Sequence, residues 1–207
     1  MNRKLFGNIV VIKKALFVIA LLALNSCSES IPGNPEKVAG DYVKALQSKD
    51  FSRIYELNFL TVRQNRLLLR EEGASGKMLM EENFRNHKAD YESAEAKFTD
   101  RGLWHEKSYF PQSAKVTVGK ASYPKAAADD PVNADYEKAQ NVYVKIKTLY
   151  SSPSDAPDYE AKKIKEVSFD CFLKKIRKEG NVSIYSHDEQ WFVADIVPDV
   201  TTALYFE

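Results

Sequence analysis

The spacing of apolar residues changes once along this chain, near Pro111, and that change limits the folds open to it. Before Pro111, apolar residues such as Val38, Tyr42 and Leu46 recur every three to four positions, the spacing of one face of an α-helix. After Pro111, apolar and polar residues alternate, as in a strand buried on one face. Helices followed by strands are typical of the α+β class.

The helical half carries recognisable start signals. Asn34 is a good N-cap, Pro35 suits the first helical position, and Asp50 can cap a second helix that carries Phe51 and Ile54. The spacing predicts two further helices, over 61–72 and 77–96, separated by a loop at 73–76. In the last of these, four ring or thioether side chains form one stripe: Met80, Phe84, His87 and Tyr91.

The second half contains five segments that read as strands, at 114–118, 141–150, 166–176, 181–186 and 190–197. In the second of them, Val142, Val144 and Ile146 are expected to face inward while Lys145 and Lys147 face solvent. We therefore expect an antiparallel sheet of about five strands, buried on one face under the helices. Two long connections, 122–138 and 151–163, are predicted to be extended hairpin loops or disordered flaps.

The amino terminus has the pattern of a secretory signal. Arg3, Lys4, Lys13 and Lys14 precede the uncharged stretch 15–24, and no acidic residue interrupts them. Ten helical residues rise only about 15 Å, whereas the hydrocarbon core of a bilayer is roughly 30 Å thick. A transmembrane helix is therefore not expected here.

The end of this stretch, Leu24-Asn25-Ser26-Cys27, resembles the bacterial lipobox. That resemblance implies transfer of diacylglycerol to the Cys27 thiol, cleavage after Ser26 and acylation of the new amino terminus. An ordinary secretory peptide that contains a cysteine is the alternative. The resulting organisation is a lipoprotein signal peptide over 1–26, a lipidated cysteine with a short tether over 27–34, and a single domain over 35–207.

The expected location of the protein is the cell envelope, attached to the lipid bilayer through acylated Cys27. Seven residues of tether span at most about 25 Å, which keeps the domain close to the membrane. Ser28 follows the cysteine, where an aspartate signals inner-membrane retention in enteric bacteria. By that analogy we expect the outer membrane, facing the periplasm, rather than the inner membrane or the cell surface.

Residues 35–57 and 188–196 resemble the opening helices and the closing strand of nuclear transport factor 2-like proteins, which have a cystatin-like α+β roll. The resemblance implies a curved sheet that wraps over a long helix and forms a cone with an open mouth. Some members, similar to ketosteroid isomerase, use an acid inside the cone. The acid expected here is Asp195, because Trp191, Val193 and Asp195 alternate onto one face.

The candidate ligand-binding residues are Tyr42, Trp191 and Asp195, and Asp195 is also the candidate general base. The three histidines, His87, His105 and His187, show no metal-ligand spacing, so we predict neither a metal nor a cofactor. Cys171 has no disulfide partner if Cys27 is lipidated. Its apolar neighbours predict a packed core cysteine.

Charge argues against a nucleic-acid partner. The formal net charge of the chain is +1, and removal of the four cations of the signal leaves about −3, too little for general attraction to polyanions. We predict a non-catalytic, membrane-anchored lipoprotein that binds a small molecule or an envelope protein through its cone or sheet face. The alternatives are an isomerase-like or hydrolytic enzyme and a structural component of an envelope complex.

Overall fold

The structure is a computed structural model that describes residues 34–95, 97–98, 103–122, 141–176 and 190–207. Its helices are α1 (Pro35–Ser48), α2 (Phe51–Leu57), α3 (Phe59–Glu72) and α4 (Ala74–Ser93), followed by a short 3-10 helix (His105–Ser108). Its strands are β1 (Lys115–Ser122), β2 (Asn141–Leu149), β3 (Asp158–Tyr159), β4 (Lys162–Ile176) and β5 (Gln190–Tyr205). The predicted α+β class is confirmed.

The sheet is open and antiparallel, and β4 lies at its centre. One side of β4 pairs with β2, which in turn pairs with β1, while β5 and the short β3 also pair with β4. Helix α1 contacts all four long strands. Successive side chains of a strand point to opposite faces. One face of the sheet is therefore buried under the helices, and the other carries ion pairs such as Lys145–Asp170 and Lys147–Glu166.

The core lies between the helices and the inner face of the sheet. The alternation predicted for β2 is confirmed, because Val142, Val144 and Ile146 are buried while Lys145 and Lys147 are exposed. The inner face of β4 is also fully buried, as expected: Val167, Phe169, Cys171 and Leu173. From α1, the side chains Val38, Ala39, Tyr42 and Leu46 meet this face.

The helix starts follow the local capping chemistry. The side chain of Asn34 accepts a hydrogen bond from the Lys37 amide, and that of Asp50 accepts one from the Arg53 amide, as predicted. Asn58 caps α3 by accepting from the amides of Leu60 and Thr61. Helix α3 therefore begins two residues earlier than the apolar spacing predicts.

The prediction of a loop over 73–76 is wrong except at Gly73. Only Gly73 breaks the helical hairpin, with φ 54°, and α4 begins at Ala74. Gly76 lies inside α4, where an added Cβ would be 2.5 Å from the Leu68 carbonyl oxygen. A glycine there lets α3 and α4 approach closely, so the sequence GASG forms a helix contact and not a loop.

The connection 151–163 was also expected to be a loop, but part of it forms the β3–β4 hairpin. Glu160 and Ala161 make its tight turn, with φ 49° and 61°, the positive values that a type I′ turn requires. The other long connection lies largely outside the described residues, as do the strand expected at 181–186 and the whole predicted signal and tether up to residue 33. In the part of the chain that is described, no helix is both long enough and apolar enough to cross a bilayer.

Candidate functional site

A pocket of about 300 Å³ opens beside the edge of β5 that faces away from β4, where the start of α3 and the 3-10 helix approach that strand. Asn58 forms an isolated parallel bridge with Val193, which ties the start of α3 to the edge of β5. The pocket is lined by Asn58, Leu60, Leu103, Trp104, His105, Glu106, Val193, Ala194 and Asp195. We call it the β5-edge pocket.

The 3-10 helix places two ionisable side chains next to each other in this pocket. Trp104 precedes the helix with φ 66°, a left-handed conformation that is uncommon for a residue with a bulky side chain. This turn presents His105 and Glu106 to the core, and Glu106 is only 6% exposed. A strained backbone beside a buried acid is a feature that occurs often at functional sites.

Glu106 is held by Tyr42, a residue of α1. The Tyr42 hydroxyl donates to Glu106 Oε1 at 2.5 Å, and Asn58 Nδ2 donates to the same hydroxyl at 3.4 Å. Burial and the adjacent Glu106 charge raise the pKa of Tyr42 well above its usual value. Tyr42 therefore stays a neutral hydrogen-bond donor at physiological pH.

His105 connects this buried pair to the strand edge. Its Nδ1 lies 3.3 Å from Glu106 Oε2, and its Nε2 lies 3.5 Å from Asp195 Oδ1 and 3.2 Å from the Ile196 carbonyl oxygen. Each ring nitrogen thus already faces an oxygen of the protein. Neither nitrogen is left free to take a proton from a bound molecule, which argues against a general-base role for His105.

The interpretation that Trp191, Val193 and Asp195 share one face of β5 is wrong at Asp195. A bulge interrupts the pairing, because Leu173 pairs with Val193 while Phe172 pairs with Asp195, which leaves Ala194 as the extra residue. Asp195 is consequently displaced from the inward series, and its side chain is 45% exposed. It stands at the rim of the β5-edge pocket instead of inside the packed core.

The chain has no match among the known proteins to which it was compared: no protein-family model, no curated protein and no solved structure matches it. The resemblances to the lipobox and to nuclear transport factor 2-like proteins therefore stay predictions.

The other two candidate ligand-binding residues lie in the packed core. Tyr42 is fully buried, and Trp191 is 3% exposed with the Lys175 ammonium 4.9 Å from its ring centroid. Neither residue lines the β5-edge pocket. Tyr42 contacts the pocket lining only from the core side, through its hydrogen bond to Glu106. The ligand-binding roles of Tyr42 and Trp191 stay predictions.

Sequence reasoning missed Asn58 and Glu106, and it considered His105 only as a metal ligand. Tyr42 and Glu106 are 64 residues apart, and no periodic pattern links the segment around Glu106 to α1. The one available signal was an acid and a histidine directly after Trp104. That local signal does not reveal the pairing of Glu106 with Tyr42, which depends on the tertiary structure.

The predicted environment of Cys171 is observed in the structure. Cys171 is buried and unpaired, and burial raises the pKa of its thiol, so it is the inert core cysteine that was expected. Among the described residues, no group of three or more histidine, cysteine or acidic side chains is arranged to hold a metal ion. His105, Glu106 and Asp195 are neighbours but do not form such a group.

A second concave surface lies on the helical hairpin and is more open. It measures about 560 Å³ and is lined by Tyr55, Asn65, Leu69, Lys77, Met80, Glu81, Phe84 and Arg85. The Tyr55 hydroxyl donates to Asn65 Oδ1 at 3.0 Å and accepts from Asn83 Nδ2 at 3.2 Å. Nearby, Met78 is 74% exposed. Three of its lining residues are ionisable, Lys77, Glu81 and Arg85, whereas the ionisable lining of the β5-edge pocket is His105, Glu106 and Asp195.

Proposed function

We propose that this chain is a membrane-anchored envelope lipoprotein whose domain binds a small molecule in the β5-edge pocket without catalysing a reaction. One observation supports binding over catalysis. The Tyr42 hydroxyl, in the core behind the pocket, donates to one oxygen of Glu106, and His105 faces both the other oxygen and Asp195. A preformed polar site in which both oxygens of Glu106 and both ring nitrogens of His105 already face protein groups fits recognition better than proton transfer through those groups.

The lipid anchor is supported by the sequence alone, through the order of basic residues, apolar stretch and Cys27. Globomycin, which blocks the lipoprotein signal peptidase, should cause an unprocessed precursor to accumulate. In a detergent phase-separation experiment, the variant Cys27→Ala should move to the aqueous phase, because it lacks the acylated thiol. A matched control is Cys171→Ala, which keeps the anchor and should stay in the detergent phase. Processing unaffected by globomycin, together with a membrane-bound Cys27→Ala variant, would contradict the anchor.

Binding in the pocket is tested by blocking its mouth. Leu60 is 52% exposed and lines the pocket, so Leu60→Trp should fill the entrance without disturbing the core. We expect native mass spectrometry of protein from its host envelope to show a bound small molecule that this variant lacks. Leu69→Trp, on the same helix and outside the pocket, is the control and should keep the molecule. If the same fraction of both variants carried the bound molecule, binding at this site would be refuted.

An isomerase-like enzyme is the second candidate, favoured by the contact between Asp195 and His105. In such an enzyme Asp195 would remove a proton next to a ketone and return it at the end of the dienolate. Conversion of cyclohex-3-enone to its conjugated isomer, followed by ultraviolet absorbance, tests this reaction. Turnover that Asp195→Asn abolishes with little change in thermal stability would establish the enzyme. Rates equal to the buffer rate would exclude this reaction.

A further inference from the structure

We infer that His87 makes the packing of helix α4 sensitive to acid: the neutral imidazole holds the helix in place, and the imidazolium loosens it. This property of α4 is independent of what the β5-edge pocket binds. Six ring side chains join α4 to α2 and to the start of the 3-10 helix, and we call them the aromatic seam: Phe51, Tyr55, Phe84, His87, Tyr91 and Trp104. His87 lies in the middle of the part of the seam that α4 contributes.

The second half of α4, residues 84–93, depends on the aromatic seam because little else of it is buried. The buried residues of the whole helix are Gly76, near its start, and Tyr91. A cavity of about 670 Å³ lies beside the second half, with Lys88, Tyr91 and Glu92 in its wall, so packing on that side is incomplete. The seam and the hydrogen bond from Lys107 Nζ to the Tyr91 carbonyl oxygen hold this half of α4 to the domain. Segments with few buried contacts are the ones that open locally.

One ring nitrogen of His87 has no place for a proton in the aromatic seam. Its Nδ1 is buried and has no hydrogen-bond partner among the described residues. The centroid of its ring lies 5.8 Å from that of Tyr55 and 5.7 Å from that of Trp104. The Tyr55 hydroxyl is already bonded to Asn65 and Asn83, and an indole nitrogen is a donor only. The imidazolium always carries a hydrogen on Nδ1, and here that hydrogen stays without an acceptor.

The charges around His87 do not offset this cost. Burial lowers the pKa of His87, and it outweighs the opposing effect of Asp90, the charged group among the described residues that acts on the ring. The titratable group that faces the ring from α2 is the neutral Tyr55. The charged side chains of the 3-10 helix contact other groups, Glu106 a hydroxyl of α1 and Lys107 a carbonyl oxygen of α4.

Acid should favour the opened form of α4, because a histidine exposed to water binds a proton more readily than His87 does in the packed helix. Since the pKa of His87 is lowered by packing, its contribution to stability is complete above about pH 6.5, the ordinary pKa of histidine. That contribution is lost as the pH falls from there through the lowered pKa. Histidine is the side chain whose charge changes in this range.

Hydrogen–deuterium exchange of the mature full-length protein in a maltoside detergent tests the inference, after correction for the intrinsic effect of pH on exchange. Between about pH 7.5 and about pH 5, protection of the peptide 84–93 should fall about 5- to 30-fold. The upper value applies if the packed helix excludes the proton completely. Protection of β2 in the same sample should change by no more than about 2-fold, since acid acts on α4 and not on the sheet.

The variant His87→Phe keeps an aromatic ring in the seam and removes its titration. Protection of the peptide 84–93 in this variant should be the same at both pH values within about 2-fold. His187→Gln is the matched control, because it removes a histidine from the chain and leaves His87 in place. It should keep the fall in protection that the wild-type protein shows.

A titration of the wild-type protein decides the matter even if His87→Phe fails to fold. Nuclear magnetic resonance of the histidine ring carbons, with His87 assigned by removal of the other two histidines one at a time, should give it a pKa below about 6.5. A pKa at or above that value would overturn the inference. Equal protection of α4 at both pH values in the wild-type protein, the same fall in His87→Phe, or loss of the fall in His187→Gln would also overturn it.

Discussion

At the scale of single residues, the buried pair of Tyr42 and Glu106 is the most consequential contact of the site. Tyr42 is fully buried and Glu106 nearly so, and their hydrogen bond joins α1 to the segment before β1. A carboxylate oxygen in such a place is costly to leave without a donor. The pair therefore stabilises the fold and also fixes the floor of the β5-edge pocket.

Removal of the Tyr42 hydroxyl should measure that cost directly. The variant Tyr42→Phe leaves Glu106 Oε1 without its donor, and we expect the free energy of unfolding to fall by about 1.5–3 kcal/mol. Urea denaturation monitored by circular dichroism gives the value. Tyr143→Phe, on the outer face of the sheet, is the control and should change stability by no more than about 0.5 kcal/mol. Equal stability of the two variants would mean that the pair is not buried as described.

Buried tyrosines also predict an alkaline limit to stability. Burial raises the pKa of Tyr42 and of Tyr150, whose hydroxyl donates to the Tyr109 carbonyl oxygen. Because the unfolded state loses these protons near pH 10, their contribution is complete below about pH 10 and is lost as the pH rises further. Absorbance at 295 nm should show tyrosines that ionise only when circular dichroism reports unfolding. Complete ionisation of every tyrosine in the folded protein would contradict this prediction.

The sequence identified some residues of the site and could not identify others. Asp195 and Tyr42 were candidates because a strand pattern and a helix pattern contain them. Their actual positions depend on a bulge at Ala194 and on a hydrogen bond to Glu106, which local patterns do not encode. A one-residue bulge reverses the face of every later side chain, so strict alternation fails at that point.

At the scale of secondary-structure elements, the contact between α3 and α4 depends on one glycine. A Cβ at position 76 would lie 2.5 Å from a backbone oxygen of Leu68, so Gly76→Ala should push the two helices apart. We expect a loss of about 1–3 kcal/mol in the free energy of unfolding. Thermal and urea denaturation both measure this loss of stability.

Gly40→Ala is the matched control, because Gly40 also lies inside a helix. Its added Cβ would meet the Val118 side chain at 3.7 Å, an ordinary contact distance. Alanine has the higher helix propensity, so this variant should gain about 0.5–1 kcal/mol. The opposite signs of the two variants separate close packing from helix propensity. A gain in stability for Gly76→Ala would refute the close approach of the helices.

Two features of the strands could not be predicted from local sequence patterns: the turn between β3 and β4 and the length of β5. The turn at Glu160 and Ala161 needs positive φ at both residues, and the sequence lacks the glycine or asparagine that usually marks such a turn. Strand β5 continues past Pro198, although proline usually ends a strand. Because β5 lies at an edge of the sheet that the described strands form, a proline there need not break a ladder hydrogen bond.

At the scale of the whole molecule, the order of helices and strands was enough to predict the class. Helical spacing before Pro111 and alternation after it correspond, in the described ranges, to four α-helices and an antiparallel sheet. The core positions followed from the same patterns, because burial on one face is a local property of each element. The β5-edge pocket did not follow, since it joins α3, the 3-10 helix and β5 across more than 130 residues.

The lipid anchor is the claim on which the envelope function depends, and the intact mass of the natural protein tests it most directly. We predict a mature chain that begins at Cys27 and carries diacylglycerol on the thiol, with or without an additional acyl group on the amino terminus. Tandem fragmentation should place the added mass on that first residue. A chain that begins elsewhere, or a free thiol at Cys27, would contradict the proposal.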